Sequence, residues 1–144
     1  MSAPHVDLAR IEPSDAQLAA LASHRPDGPI VRERAAYPPG TRDGDVTGRE
    51  AYRRYGVVAF QAILSTGGRI LWATEGRNVA IGGGDELFHE VVAVWYPSRA
   101  AFLTLDRYPG YREAFELHRR ASLERAVLLM CDGDAEPKLS TPYG

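Results

Sequence analysis

The sequence predicts an α+β fold whose elements run β-α-β-β-α-β behind an extra N-terminal helix. Three observations carry this prediction. Short apolar runs of strand length, Ile30 to Tyr37, Arg69 to Thr74, Phe88 to Tyr96 and Ala126 to Cys131, are each bounded by glycine, proline or polar breakers. Two longer stretches, about Thr47 to Leu64 and Ser98 to Arg125, repeat apolar residues at helical spacing. No repeat at a fixed period and no low-complexity segment competes with that order. Such a sheet has helices on one face only. Its other face needs a cover that a single copy does not supply, so two sheets packed face to face in a homodimer are expected.

Residues 1–11 show no strong periodicity and are expected to trail over the surface. Pro13-Ser14-Asp15 opens a short helix, with Ser14 or Asp15 as its cap and Leu18, Leu21 and Ala22 on its apolar side. Ser23 to Pro29 is a turn. The first strand, Ile30 to Tyr37, is closed by Pro38-Pro39-Gly40 and holds three charges in its middle, Arg32, Glu33 and Arg34. At period two, Ile30, Arg32, Arg34 and Ala36 share one face.

Thr47 caps the next helix, and Glu50 three residues on completes the pattern of a capping box. Tyr52, Tyr55, Ala59, Ala62 and Ile63 form its main stripe, while Val57, Phe60 and Leu64 form a second. Gly67-Gly68 ends it. The second strand follows, resuming at Asn78 to Ile81, and Gly82-Gly83-Gly84-Asp85 is a turn. Pro97 stops the third strand, because it lacks an N–H and restrains Tyr96 to an extended geometry. Ser98 then caps a helix, Tyr108-Pro109-Gly110 brakes it, and a new helix starts at Tyr111. On that helix Tyr111, Ala114, Phe115, His118, Ala121 and Ser122 share one face. A histidine therefore lies on the stripe turned toward a sheet. The last strand, Ala126 to Cys131, is apolar enough to be central and covered on both faces.

A chain of 144 residues with 44% hydrophobic content fits one domain with a sizeable core. A net charge of −2 gives no electrostatic reason to expect nucleic acid. Lys138 is the sole lysine among the basic residues. Cys131 is the sole cysteine, which excludes an intrachain disulfide and thiol-rich metal sites; it is expected to be buried and inert. No apolar run reaches the roughly 20 residues of a membrane span. The first ten residues lack the layout of a signal peptide, so a cytoplasmic location is expected.

The run from Trp95 to Phe102, then Pro109-Gly110-Tyr111, then His118-Arg119-Arg120-Ala121, resembles a bacterial family known as domain of unknown function thirteen-thirty. The resemblance extends upstream through Gly48 to Gly56 and Gly67 to Leu71, and covers roughly Gly28 to Asp132. It implies a ferredoxin-like βαββαβ fold that pairs into a dimeric α/β barrel. Residues 28–133 are then that domain, 1–27 an N-terminal extension and 134–144 a C-terminal arm. The superfamily includes cofactor-independent oxygenases of polycyclic phenols, lactone isomerases, polyketide cyclases, haem enzymes and proteins without known catalysis. The resemblance names no reaction.

His118 is read as a proton donor or acceptor, against the alternative of a core histidine bonded to a carbonyl. Arg32 and Arg34 either face the dimer interior, paired with carboxylates there, or line a wet pocket. In the resembling family the Arg34 position usually holds asparagine, so a guanidinium here implies an anionic or strongly polar substrate group. His89 stands where that family tends to carry aspartate, and would flank the cavity if it points inward with Ala93 and Trp95. Tyr52, Tyr55, Tyr111 and Phe115 form an inward aromatic wall whose hydroxyls need partners. Arg119 neighbours the stripe and is a second polar contact.

No closed metal-ligand set is present, and neither is a nucleotide-binding glycine motif, a haem-attachment motif or a nucleophile elbow. The resulting expectation is a small-molecule enzyme without metal or organic cofactor, of isomerase, cyclase or oxygenase type in secondary metabolism. It takes an anionic or phenolic substrate in a pocket between sheet and helices. His118, Arg34 and His89 are the expected catalytic residues; Arg32, Tyr52, Tyr55, Trp95, Tyr111 and Arg119 are the expected substrate contacts. The alternatives are a non-catalytic metabolite-binding dimer and a haem-binding member of the same superfamily, with His118 as ligand.

Overall fold

A computed structural model describes residues 13–23, 31–76, 79–82 and 88–136. The expectations for residues 1–11, most of the turns at Ser23 to Pro29 and Gly82 to Asp85, Asn78 and most of the C-terminal arm lie outside these. The chain forms an α+β structure divided into two compact units. The first takes residues 1–30 and 75–91; the second takes 31–74 and 92–144.

In the first unit, α1 spans Asp15–Ser23. Its start is a reciprocal capping box: Gln17 N–H donates to Ser14 Oγ (3.2 Å), and Ser14 N–H donates to Gln17 Oε1 (2.8 Å). The Gln17 amide also donates to the Gly82 carbonyl at 2.7 Å. In the same unit Gly76 N–H donates to the His89 carbonyl at 3.0 Å.

The second unit is built on α2, Gly48–Ser65. Thr47 is its N-cap and accepts the Glu50 N–H at 3.1 Å. Only half of the expected box forms, because the Glu50 carboxylate is taken by Arg53 and Arg54 instead. Thr66 and Gly67, at φ +79°, end the helix. Its buried face is made of Gly48, Ala51, Ala59, Ala62 and Ile63. The second stripe, Val57, Phe60 and Leu64, is exposed.

β1, Arg69–Glu75, pairs antiparallel with β2, Glu90–Trp95. Ser98 then caps α3, Arg99–Phe102, by accepting the Ala101 N–H at 3.0 Å. A 3₁₀ turn at Leu105–Arg107 leads to Gly110, whose φ of +81° provides the left-handed bend that restarts a helix. The segments Tyr111–Glu113, Ala114–Arg119 and Arg120–Ser122 run on as one helix, α4, whose middle six residues are π-helical. α4 packs along α2. Ala51, Ala59, Ala62, Ala114 and Ala121 are buried, and such small side chains let backbones approach closely. Ala62, Ile63 and Leu105 form the core cluster, walled by Val94, Tyr96, Phe102, Tyr108 and Tyr111. Burying side chains the size of Ile63 and Leu105 contributes about 1.5–3 kcal/mol each.

Two expected strands are corrected. Residues 31–37 are extended but make only the isolated bridges Val31↔Leu123 and Arg34↔Thr47. Their backbone bonds go to a loop and a helix end: Arg32 N–H to Ser122, Ala35 N–H to Val46 and Ala36 N–H to Ala121 carbonyls. Three consecutive charges suit such an edge better than a central strand. Residues 126–131 form no strand, and among the described residues no neighbouring strand offers them a ladder. Val127, Leu128, Leu129 and Met130 are exposed, at 70%, 71%, 80% and 53%. Cys131 is likewise exposed rather than buried.

Candidate functional site

Tyr37 and His118 meet in the second unit. The Tyr37 hydroxyl lies 2.6 Å from His118 Nδ1, with the rings edge to face at 83°. Each comes from a backbone feature that fixes it. Pro38 restrains Tyr37 to an extended conformation, and His118 lies in the π-helical stretch of α4. π-Turns inside α-helices occur frequently at functional sites.

Arg54 of α2 completes the group. Its guanidinium sits 5.9 Å from the centre of the Tyr37 ring, within cation–π range. Arg54 is fixed from behind: Nη1 donates to the Asp43 carbonyl at 2.9 Å and Nε to Glu50 at 3.4 Å. Arg53 also binds Glu50, through two bonds of 2.8 and 2.9 Å. These bonds bring the Glu50 carboxyl down to about 2, the Arg53 hydrogen bond contributing most.

The His118 pKa is lowered, first by burial and then by the Arg54 cation, with Glu113 acting in the opposite sense. A neutral imidazole accepting at Nδ1 carries its proton on Nε2. That Nε2–H has no protein acceptor among the described residues. In that tautomer the pair offers a hydrogen-bond donor at Nε2 and a phenolic proton source at Nδ1; in the other, Nδ1–H donates to the Tyr37 oxygen and Nε2 is an open acceptor.

A depressed histidine value has a sign for stability. The unfolded chain binds a proton near the ordinary value of 6.5, while the folded chain resists it. The His118 contribution is therefore complete above about 6.5 and is lost as pH falls through the interval between that value and the folded one. Denaturation midpoints measured at pH 7.5 and 5.5 should show this loss, and His118→Gln should flatten it. The depressed Glu50 acts in the same direction, but between 4.5 and about 2.

An aromatic group adjoins α4. Tyr55 contacts Tyr52, Tyr111 and Phe115 at ring separations of 5.8, 6.2 and 6.3 Å. The Tyr55 and Tyr111 hydroxyls are 3.5 Å apart. Burial, then the Tyr111 hydrogen bond, raises the Tyr55 pKa far above the phenol range, so Tyr55 stays protonated. Burial also pushes Tyr96 up to about 12. Arg119 lies 4.8 Å above the Phe115 ring and 6.0 Å from that of Tyr55.

The structure brings together only part of the expected site. His118 lies on α4 against Tyr37 rather than over a sheet, and Tyr52, Tyr111, Phe115 and Arg119 assemble around Tyr55. Arg34 does not join His118. Its side chain is 65% exposed and ion-paired with Asp45, which corrects the joint site expected of the two residues. Arg32 is partly buried, and its Nε has no hydrogen-bond partner. Val94 and Tyr96 face the helices, so strand alternation turns Trp95 to the other face, where Arg69 lies 5.7 Å over its ring. His89 belongs to the first unit.

Among the described residues no three histidine, cysteine, aspartate or glutamate side chains cluster to hold a metal ion. No described helix is long and apolar enough to cross a membrane. A shallow groove of ≈ 620 Å³ runs beside the start of α4, lined by Asp106, Tyr108, Arg112, Glu113 and Glu116 among others. Glu113 is the residue common to this groove and to the electrostatic surroundings of His118.

Sequence reasoning missed Tyr37 and Arg54. Tyr37 stands directly before two prolines, a position that pins a side chain at the mouth of a loop. Arg54 stands four residues after Glu50, the helical spacing that anchors a guanidinium.

The family described as "Domain of unknown function (DUF1330)" matches residues 42–131. Arg54 and His118 lie inside that span and Tyr37 lies upstream of it. Two solved structures of the RPA0582 protein, a protein of unknown function from Rhodopseudomonas palustris, are similar to the chain. The methylated form is 34% identical with a TM-score of 0.60, covering 88% of this chain and 97% of that one. The other is 36% identical with a TM-score of 0.55, covering 80% and 89%. No curated protein matches the chain.

Proposed function

Since the chain belongs to the DUF1330 family, whose function is unknown, we propose from its own geometry that it is a small-molecule enzyme working by acid–base chemistry without an organic cofactor. The observation that carries this reading is the 2.6 Å contact between Tyr37 and His118 Nδ1, with Nε2 meeting no hydrogen-bond partner among the described residues. In this reading Nε2–H donates to a substrate oxygen. As that oxygen takes the proton, Nδ1 draws the phenolic proton of Tyr37, and the Arg54 cation offsets the negative charge developing on Tyr37. The substrate is a small anionic or phenolic compound carrying a carbonyl or enol. The reaction is an isomerisation, cyclisation or oxygenation begun by proton transfer. The rival reading is a dimer that binds the same compounds without converting them.

Screening such compounds by the shift of the His118 ring resonances, then following conversion without added cofactor, separates the two readings. Saturable binding with no conversion would favour the rival.

The active form in this proposal is a homodimer with a ferredoxin-like, barrel-type pairing of sheets. Its support is the apolar surface left uncovered in one chain: Ile70 and Trp72 on β1, and Val127 to Met130. Large apolar side chains exposed in such number mark an interface more often than a solvated face. Light scattering at micromolar concentration should give twice the chain mass. A stable folded monomer would sink this part of the reading.

A further inference from the structure

Arg54 was not part of any expected site, yet three independent contacts converge on it. It is held by Glu50 from one side and by the Asp43 carbonyl from another, and it lies over the ring of the residue that bonds His118. Its side chain is only 25% exposed. A guanidinium fixed by two acceptors loses little further freedom when it acts on a third group. Arg53 shares Glu50 and is much more exposed, so the network has one outer and one inner cation.

We propose that Arg54 is a positioning residue that acts through the Tyr37–His118 pair, its anchored guanidinium over the Tyr37 ring disfavouring a second cation beside it and keeping the Tyr37 hydroxyl directed at Nδ1. The inference builds on the acid–base reading of that pair but concerns how the pair is set, with or without a substrate. The charged and titratable groups around His118 come from three elements. Tyr37 belongs to the extended segment, Arg54 to α2, and Glu113 to α4 itself. Burial disfavours the imidazolium most; beyond that Arg54 opposes it and Glu113 favours it, so the two charges adjust the balance from opposite sides. Arg54 has the firmer seat, because Glu50 and Asp43 fix it from behind.

The test is a histidine titration by NMR on the intact protein, with wild type, R54Q and R54K compared. The R54Q midpoint should move upward toward the ordinary histidine value, and its Nδ1 resonance should lose the signature of an accepted hydrogen bond. R54K should restore most of the wild-type midpoint, since it returns the charge. An unchanged midpoint in folded R54Q overturns the proposal. So does R54K matching R54Q, because loss of packing rather than charge would then explain the shift. Should R54Q fail to fold, E113Q in 1 M salt decides: with the opposing carboxylate gone, screening of the acting Arg54 charge raises the midpoint, and no rise overturns the proposal. No substrate enters this experiment. A negative result therefore leaves the acid–base reading standing, and a failed substrate screen leaves the role of Arg54 standing.

Discussion

His118→Ala is expected to lower turnover of a substrate of this site by about 10²–10⁴-fold, the usual worth of a general acid or base. The loss should fall on kcat more than on KM, because the proton moves in the transition state and Nε2–H makes only one contact in the ground state. Tyr37→Phe should give a smaller loss in the same parameter, since Nε2–H remains while its proton source is gone. Folding should be nearly untouched in both variants, for the pair is partly exposed and bonded mainly to itself. Steady-state kinetics beside a thermal melt decides the matter. A large fall in melting temperature with unchanged turnover would make His118 a structural residue.

A large stability effect is expected at a glycine. A Cβ on Gly48 would fall on the carbonyl of Arg32, a backbone group that cannot rotate away. Gly48→Ala must therefore push the extended segment off the start of α2, where Gly48 N–H donates to the Glu33 carbonyl at 3.3 Å. Overpacking of this kind costs about 3 kcal/mol, or ~10 °C in Tm for a chain of this size. Gly56 provides the contrast on the same helix. Nothing lies within 4 Å of a Cβ built there, so Gly56→Ala should raise stability by about 0.5–1 kcal/mol through helix propensity. Paired thermal melts should show opposite signs. Equal effects would mean that the seat at Arg32 is softer than its geometry.

Much of the second unit was legible in local chemistry. Thr47, Ser98, Gly67 and Gly110 each act at the position where capping and turn rules put them, because those rules depend on neighbours within four residues. The two helix stripes, one holding Tyr55 and the other Tyr111 and His118, follow from helical spacing for the same reason. Strand pairing was not legible, because a strand is completed only by a distant partner. Val127 to Met130 reads as a strand by composition and finds no ladder among the described residues. Arg34 shows the same limit for side chains. Period two gives its face, but the nearby Asp45 determines its partner. The half-formed capping box at Glu50 is a competition that spacing cannot score, since Arg53 and Arg54 offer charge where Thr47 offers one N–H.

The π-helical stretch from Ala114 to Arg119 has a consequence for chain length. A π-turn spends one residue more than the α-helical hydrogen-bond pattern needs. Upstream of it, Tyr111 is registered against Tyr55; downstream, Ala121 and Ser122 receive the Ala36 and Arg32 N–H groups. Both registers are occupied, so the surplus residue cannot be absorbed by sliding either end. Deleting one residue inside the stretch would restore a uniform α-helix only by breaking one of the two seats. Relatives whose corresponding helix is uniformly α-helical should therefore align here with a one-residue gap, and should aim the residue at the His118 position in a different direction.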